Sequence, residues 1–372
     1  MRTAWGNPSS QHPQGAAARA HIETARRRLL AALGDPVEPA GARLGDIVWT
    51  SGCTEADALA VLGAARTRPG SIVVSAIEHA AVGALASRLG ESRAAVQIEP
   101  GPDGVIDPEV VARAAHGAAV VAIVMVQNEI GVIQPVAAIA QAVRRASPAC
   151  HIHIDAAQAV GKVAVDARAI GADSIAIAGH KLHGPKGIGA LWLRAGAVLE
   201  PLWVGGGQQA GLRGGTQDAP SVAGFGLAAE QAVAALPAAR ARWHDLAARI
   251  TARLTARGVA FHQLVPDPLR SPHILALGIR GVPATALRTV LASRGVYVST
   301  GSACAERSRD GHGKPSPVLV AIGLPEDTGM CRLSFGHDTT ADDADLAAET
   351  LADVALDLSR RSLSNLSSPP SS

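Results

Sequence analysis

Aromatic side chains are scarce in this chain of 372 residues: they make up 2% of it, with one tyrosine and three phenylalanines. Cysteine is scarce as well. The chain has four cysteines, which lie far apart in sequence and form no CxxC pair and no zinc-ligand grouping: Cys53, Cys150, Cys304 and Cys331. This spacing predicts neither a disulfide framework nor a metal site, and it favours reduced thiols in the cytoplasm.

Long apolar runs and a strong charge of either sign are also missing. No run reaches the length of a membrane span, and the amino terminus, Met-Arg-Thr-Ala-Trp-Gly, lacks an apolar signal core. A net charge of +2 argues against a dedicated nucleic-acid binder. We therefore expect a cytoplasmic protein that acts neither on membranes nor directly on nucleic acid.

Five apolar, β-rich runs alternate with alanine-rich helical stretches. The runs cover residues 46–50, 71–76, 119–126, 151–155 and 174–178. Such alternation predicts an α/β domain with a mainly parallel sheet that is covered by helices on both faces. Ligands of these sheets bind beyond the carboxyl ends of the strands, so the residues that follow each run are candidates for a site.

Pro237 interrupts a long helical region and predicts a second helix over residues 238–257, with a domain boundary near residue 236. We expect a large domain over residues 1–236 and a smaller α+β domain over 237–360. The smaller domain is predicted to contain strands near 273–277 and 296–300, a helix over 283–294 and a last helix from about residue 340. The serine-rich tail, 361–372, has too little apolar surface to pack and is predicted to be disordered.

Lys181 closes the apolar run 174–180 and opens a glycine-rich stretch that ends at Ala190. An amine at such a strand end suits a Schiff base, because burial among apolar neighbours lowers a lysine's pKa. Upstream, another strand ends in Asp155, with Gln158 three residues later. Pyridoxal phosphate needs such a pair, since the aspartate keeps the ring nitrogen protonated while the lysine holds the aldehyde. Lys186, in the same glycine-rich stretch, is the alternative anchor.

Two further strand ends carry polar residues. The segment from Ser51 to Glu55 precedes a helix, where exposed amides and the Thr54 hydroxyl would bind a phosphate. Thr54 serving only as an N-cap is the alternative. His79 follows the run 71–76, and there it either stacks on a cofactor ring or lies solvated in a loop.

The runs 151–162, His-Ile-His-Ile-Asp-Ala-Ala-Gln-Ala-Val-Gly-Lys, and 180–191, His-Lys-Leu-His-Gly-Pro-Lys-Gly-Ile-Gly-Ala-Leu, closely resemble the cysteine desulfurases of aminotransferase class V. That family has fold type I and uses pyridoxal phosphate. The resemblance implies that Lys181 anchors the cofactor and that Asp155 pairs with its ring nitrogen. It also implies that His79 stacks on the ring, and that Asn128 and Gln158 reach the cofactor's phenolic oxygen.

The same resemblance extends to the phosphate. Thr54 and His180 would bind it, and Cys53, beside the cofactor, replaces the family's alanine in a packing role. Ala178 replaces a serine whose hydroxyl bonds the phosphate in the family, so weaker cofactor retention is expected. Thr216 ends a glycine-rich stretch that in the family reaches the phosphate of the neighbouring subunit, which implies a homodimer with shared active sites.

The reaction type depends on two residues near the carboxyl end. Cys304 lies in Ser-Thr-Gly-Ser-Ala-Cys, a polar and basic loop that favours a thiolate and resembles the family's persulfide loop. Arg332 lies in Arg-Leu-Ser-Phe-Gly, where the family's arginine binds the amino-acid carboxylate. Asn128 would contact the substrate as well. The implied activity converts L-cysteine to L-alanine with Lys181, Cys304 and His79 as catalytic residues. The sulfur would pass to an iron-sulfur scaffold or a tRNA-thiolation protein.

Two alternatives stay open from the sequence. The fold alone would also permit an aminotransferase, a β-lyase or a selenocysteine lyase. Family members carry an Asp-Asn-x-Ala-Thr-Thr segment before the Gly-Asn-Pro-Ser motif, which here begins at Gly6. The absence of that segment from the given chain indicates either a late start or a shortened, non-catalytic homologue that only binds partners.

Overall fold

The structure, a computed structural model, describes residues 5–36, 44–301 and 316–367, with side chains through residue 360. It contains two compact units. The first comprises Met1–Glu99, Ile106–Gln127 and Gln134–Leu236, and the second comprises Pro100–Val105, Asn128–Ile133 and Pro237–Ser372. Each unit is described by itself below.

A seven-stranded mixed sheet forms the centre of the first unit. Its strands are β1 (Gly45–Thr50), β2 (Ile72–Ser75), β3 (Ala95–Ile98), β4 (Val120–Val124), β5 (His151–Asp155), β6 (Ser174–Ala178) and β7 (Gly189–Arg194). They lie in the order β1-β7-β6-β5-β4-β2-β3, and β7 alone runs antiparallel to its neighbours. β2, β4, β5 and β6 are buried along their whole length, as expected when helices cover both faces. The predicted fold class is confirmed.

Helices flank this sheet. They are α1 (Pro13–Ala32), α2 (Cys53–Thr67), α3 (Ala80–Leu89), α4 (Pro108–Ala114), α5 (Val136–Ala146) and α6 (Ala167–Ile170). α2 packs on the central strands through small and branched apolar side chains, among them Ala56, Leu59 and Ala60. Because these side chains are short, the backbone of α2 lies close to the sheet, and its polar residues can reach strand residues.

Strand β7 lies within the stretch that the sequence presents as a glycine-rich loop. Its first residue, Gly189, lies so close to Gly52 that a Cβ added there would be 2.5 Å from the Gly52 carbonyl carbon. Only glycine permits this approach, so a residue that suggests a loop is here required by a strand. β7 fills the position between β1 and β6 and thereby brings the end of β1 to the same edge as the end of β6.

The second unit contains a smaller antiparallel sheet in the order β10-β9-β8. Its strands are β8 (Phe261–Gln263), β9 (Ile274–Arg280) and β10 (Thr328–Ser334), and its helices include α8 (Ala284–Ser293), α9 (Pro317–Ala321) and α10 (Ala341–Ser367). The strand predicted over 296–300 is wrong, since Ser299 forms only an isolated bridge with Arg332. The predicted tail begins too early, because α10 continues to Ser367 and each residue added to a helix gains a hydrogen bond.

Helix α7 (Ala219–Ala256) contains residues of both units. Pro237 lies inside it, so the predicted interruption at this residue is wrong: the helix continues although Pro237 offers no N–H to the carbonyl of Val233. Among the described residues, α7 is the one helix that is long and apolar enough to cross a membrane. This composition is not an uninterrupted apolar run, because Glu230 lies within the helix. A core helix has the same composition, and Val222 and Phe225 of α7 are fully buried.

Candidate active site

The carboxyl ends of six parallel strands meet at one edge of the large sheet, and the predicted residues of the first unit follow four of them. Cys53 and Thr54 come after β1, His79 after β2, Asp155 and Gln158 at the end of β5, and His180 and Lys181 after β6. Residues separated by up to 128 positions in sequence (181 − 53) thus reach a common edge. This is where ligands of parallel sheets bind.

Asp155 lies at the centre of this group and is 3% exposed. Its Oδ1 accepts a hydrogen bond from the Ala157 amide at 2.8 Å and one from the Cys53 thiol at 3.5 Å. Burial raises the pKa of the Asp155 carboxyl, while the Ala157 amide and the nearby charges of His79 and Lys181 lower it. The structure therefore brings Asp155, Cys53, His79 and Lys181 together around one carboxyl group.

Lys181 is half-buried in a 3₁₀ turn, Gly179–Leu182, that follows β6 directly. The turn ends at His183, whose left-handed backbone (φ 59°) reverses the chain. The buried Lys162 donates from Nζ to the Lys181 carbonyl, and burial together with the charge of Lys181 lowers the pKa of Lys162 to about 8. Sequence reasoning did not assign a role to Lys162, although it ends the run 151–162. Lys186, the alternative anchor, is exposed.

The start of α2 is an open site for an anion. Gly52 is its N-cap, no side chain caps the helix, and a Cβ added at Gly52 would meet nothing within 4 Å. Thr54 therefore lies in the first turn and is exposed, so the alternative in which it is the N-cap is wrong. Free amides at the start of a helix of 15 residues, with open space in front of them, fit a phosphate group.

Glu55 and Arg213 fix the shape of this helix start. Glu55 accepts from the Ser51 amide at 2.6 Å and from Arg213 Nε at 2.9 Å, and these partners lower the pKa of its carboxyl against the effect of burial. Gln209 pairs with both backbone groups of Trp49, at 2.6 and 2.9 Å. The glycine-rich stretch 205–216 is therefore attached to the end of β1, and exposed Thr216 closes it. The sequence gives no signal for this attachment, because a stretch with so many glycines is typical of a loop.

His79 is the N-cap of α3, and its Nδ1 accepts from the Ala81 amide at 3.2 Å. That contact orients the ring at the end of β2. Neighbouring Glu78 accepts from Ser75 Oγ at 2.5 Å and from the Val124 amide at 2.9 Å. Burial of the carboxyl outweighs these bonds and raises the pKa of Glu78 to about 8.

Stability should depend on pH through Glu78. Between the ordinary pKa of 4.5 and the folded value of about 8, the folded chain keeps a proton that the unfolded chain releases. The free energy of unfolding should then fall by up to about 1.4 kcal/mol per pH unit across this window, and the loss is complete above it. Glu78→Gln, which cannot ionise, should remove this contribution and make the slope shallower in urea titrations between pH 5 and 9. The exposed Glu91→Gln is the control; equal slopes in wild type and Glu78→Gln would contradict the prediction.

The second unit contains Asn128 and Arg332. Arg332 Nη1 donates to the Asn128 carbonyl at 2.6 Å. The backbone amide of Arg332 donates to the Ser299 carbonyl, and the Ser299 amide donates to the Arg332 carbonyl. β10 thus holds the guanidinium next to Asn128, and two predicted substrate residues are brought together. Cys304 falls in 302–315, outside the described residues.

The residues of the first unit fit pyridoxal phosphate. The uncapped, open start of α2 suits the phosphate, the buried Asp155 suits a protonated ring nitrogen, and the Lys181 amine suits the aldehyde. Gln158 is half-buried and His180 is exposed. The pKa of the His180 ring is lowered by partial burial and by the charges of Lys181, Lys186 and Lys162, so this region is positively charged, as a phosphate requires.

Several known proteins are similar to this chain in sequence and structure. The model of the family Aminotransferase class-V matches residues 2 to 346. A cysteine desulfurase of Cereibacter sphaeroides is 37% identical, covering 94% of this chain and 88% of its own, and a selenocysteine lyase of Bos taurus is 33% identical, covering 94% and 87%. A NifS-like protein structure superimposes with a TM-score of 0.84 at 29% identity, covering 96% and 93%. A structure titled SspA in complex with cysteine gives a TM-score of 0.74 at 29% identity, covering 89% and 91%.

Proposed function

This chain belongs to the class V aminotransferase family, among its cysteine desulfurases, and we propose that it converts L-cysteine to L-alanine with pyridoxal phosphate held on Lys181. The observation that carries the proposal is the meeting of a buried carboxyl, Asp155, with the amine of Lys181 at the ends of adjacent strands. Next to them, the uncapped start of α2 offers a phosphate site.

Each residue around the cofactor has a separate proposed role. Lys181 Nζ would hold the aldehyde of the cofactor, and the same amine would take the proton from the Cα of L-cysteine. Asp155 would hold the proton on the ring nitrogen of the cofactor, and His79 would adjoin its ring. Thr54, His180 and the amides of α2 bind the phosphate. When bound, pyridoxal phosphate supplies the electron sink that stabilises negative charge at Cα.

The sulfur chemistry belongs to the carboxyl-terminal residues. Arg332 binds the substrate carboxylate with its planar fork, and Asn128, which Arg332 contacts, adjoins the same substrate. The Cys304 thiolate attacks the sulfur of L-cysteine and the Cβ–S bond of the substrate breaks. The sulfur stays on Cys304 as a persulfide, and the carbon fragment keeps the electron pair and takes a proton to give alanine. The persulfide sulfur then passes to an acceptor, either an iron-sulfur scaffold or a tRNA-thiolation protein. Incubation of the loaded enzyme with each purified acceptor tests this.

A covalent trap tests the cofactor and its anchor. The purified chain is incubated with pyridoxal phosphate, reduced with borohydride, and mapped by peptide mass spectrometry, while alanine formation from L-cysteine is measured on the unreduced sample. The label is expected on Lys181. A label on Lys186, or on Lys162, whose pKa burial lowers to about 8, would overturn the assignment. A protein that stays colourless with added cofactor and forms no alanine would support the non-catalytic alternative.

Ala178 should make cofactor retention weaker than a serine would. It ends β6 and is 1% exposed, directly before the turn that contains His180 and Lys181. Ala178→Ser adds a hydroxyl that can donate to the phosphate, so its Kd for pyridoxal phosphate should fall roughly tenfold, the value of a hydrogen bond to a charged group. Ala176→Ser, two residues earlier on the same strand face, places a hydroxyl away from the phosphate and should not tighten binding. Absorbance titration gives both constants; equal Kd values for wild type and Ala178→Ser would contradict the prediction.

The functional form is a cytoplasmic homodimer in which Thr216 reaches the phosphate of the neighbouring subunit. In support, Trp203 and Val204 are large apolar side chains, 56% and 94% exposed, at the start of the glycine-rich stretch that Thr216 closes. Exposed apolar side chains adjoining a functional loop are typical of subunit interfaces. Sedimentation equilibrium tests the dimer, and cell fractionation tests the location.

Selenocysteine is the second candidate substrate, and the similarity to a selenocysteine lyase favours it. The two activities differ in their need for a nucleophilic thiol at Cys304, because selenium leaves more readily than sulfur. Comparing kcat/KM for the two amino acids in wild type and Cys304→Ala separates them. Loss with L-cysteine and retention with L-selenocysteine would indicate a dual activity.

A further inference from the structure

Behind Asp155 lies a row of polar side chains that the proposed mechanism does not use. Asp57, His153, Ser174 and His151 are each at most 1% exposed. Burying polar groups costs free energy unless partners compensate for lost water, and a buried carboxyl is especially costly. Burial of this row therefore costs free energy, and the row lies directly next to Asp155, the carboxylate proposed to pair with the cofactor.

The row joins one face of α2 to one face of β5. Cys53 and Asp57 are four residues apart on α2, and His153 and Asp155 are two apart on β5, so each pair points the same way. Cys53 Sγ lies 3.5 Å from Asp155 Oδ1 and 4.0 Å from Asp57 Oδ1, and His153 Nε2 lies 3.1 Å from Asp57 Oδ1. The Cys53 thiol thus bridges two carboxyl groups whose nearest atoms, with its sulfur, all lie within 4.8 Å.

No cation in the row neutralises Asp57. His153 Nδ1 and His151 Nε2 both bond Ser174 Oγ at 2.8 Å. Burial lowers the pKa of His153 to about 3 and that of His151 to about 4, so both rings are neutral. A neutral ring donates through one nitrogen and accepts through the other, and a hydroxyl does both, so this network accommodates Asp57 with or without its proton.

The two carboxyls have unequal surroundings. Burial, then the charges of Asp155 and Glu78, raise the pKa of Asp57 well above its usual range, and only the Cys53 contact lowers it. Asp57 Oδ2 has no hydrogen-bond partner among the described residues. Asp155, by contrast, has the Ala157 amide, the thiol, and the charges of His79 and Lys181 in favour of its ionised form. When two close carboxyls share one proton, it stays on the one with less support for charge.

We propose that Asp57 is a positioning residue: it carries the proton of this carboxyl pair, holds the Cys53 thiol against Asp155, and so keeps Asp155 ionised opposite the ring nitrogen of pyridoxal phosphate. The inference rests on the proposed cofactor. It assigns a role to Cys53 that depends on its thiol, where an alanine would supply only packing.

Two substitutions at Asp57 separate charge from shape. Asp57→Asn is uncharged and isosteric with the protonated acid, so its Kd for pyridoxal phosphate at pH 7 should stay within about twofold of wild type. Asp57→Leu removes the carboxyl group, so His153 Nε2 and the Cys53 thiol both lose their contact with Asp57 Oδ1. Its Kd should rise roughly tenfold, because a charge-assisted bond to the ring nitrogen is weakened.

The 1-deaza analogue of pyridoxal phosphate, in which CH replaces the ring nitrogen, shows whether the effect passes through Asp155. Wild type should bind the analogue more weakly than pyridoxal phosphate, and Asp57→Leu should bind it within about twofold of wild type. Equal loss for both compounds would show that Asp57 is merely structural and would overturn the inference. An Asp57→Asn protein as weak as Asp57→Leu would overturn it too, since an ionised Asp57 would then be required.

Cys53→Ala tests the same inference if the Asp57→Leu protein does not fold. It leaves the contact of Asp57 with His153 in place, and its affinity for pyridoxal phosphate should fall about threefold with no change for the analogue. Equal affinity of wild type and Cys53→Ala for pyridoxal phosphate overturns the bridge. A wild type that binds both compounds equally well would overturn the Asp155 assignment of the proposed function together with this inference. A wild type that discriminates between them, with the same ratio in every variant, overturns the inference alone.

Discussion

Replacing Lys181 with alanine is expected to lower alanine formation from L-cysteine by at least about a thousandfold, the upper range for losing a positioned general base. The residue has two tasks in the proposed mechanism, since its amine anchors the cofactor and then takes the Cα proton. Its position in the turn after β6, near Asp155, supports both tasks. Steady-state alanine production at saturating cofactor measures the effect.

Lys186→Ala is the matched control for Lys181. It lies five residues later in the same glycine-rich segment, is exposed, and should keep its rate within about twofold, as surface substitutions usually do. Both variants need a thermal unfolding curve to confirm that they fold. If the loss follows Lys186 and spares Lys181, the cofactor anchor has been assigned to the wrong residue.

Replacing Cys304 with alanine is expected to reduce sulfide release from L-cysteine by about a hundredfold or more, because in the proposed mechanism its thiolate is the nucleophile for the substrate sulfur. Cofactor binding should not change, so the yellow colour and the Kd for pyridoxal phosphate stay at the wild-type values. This pattern, with chemistry lost and binding kept, distinguishes a nucleophile from a residue that shapes the pocket. Sulfide assays and absorbance titration of one preparation measure both quantities.

Cys150→Ala is the control for removing a thiol. Cys150 is buried directly before β5, at the opposite end of that strand from Asp155, and burial raises the pKa of its thiol to about 12, so it is not a nucleophile at neutral pH. Its sulfide release should stay within about twofold of wild type. Unchanged turnover in Cys304→Ala would exclude the persulfide mechanism and favour another reaction of the same family.

The sequence predicted the large sheet well where signals are local. The bounds of β5 and β6 agree with the predicted runs, because a short segment rich in isoleucine that ends in a polar residue or a glycine is typical of a buried parallel strand. It failed where tertiary contacts override local patterns. Gly189 begins a strand because Gly52 packs against it, and α7 continues through Pro237. Neither the contact of Gly189 with Gly52 nor the continuation of α7 can be predicted from a window of adjacent residues.

By itself, the sequence determined the family and the fold class, and it predicted the cofactor anchor, because those signals are short runs of consecutive residues at strand ends. Only the tertiary structure revealed that Asp57 of α2 meets His153 of β5, 96 residues away, and that Cys53 meets Asp155, 102 residues away. Such contacts depend on how a helix packs over a strand, and that packing is set by the close approach of their backbones through small apolar side chains. The motifs name the groups that would touch the cofactor; the packing behind them decides which carboxyl holds the charge.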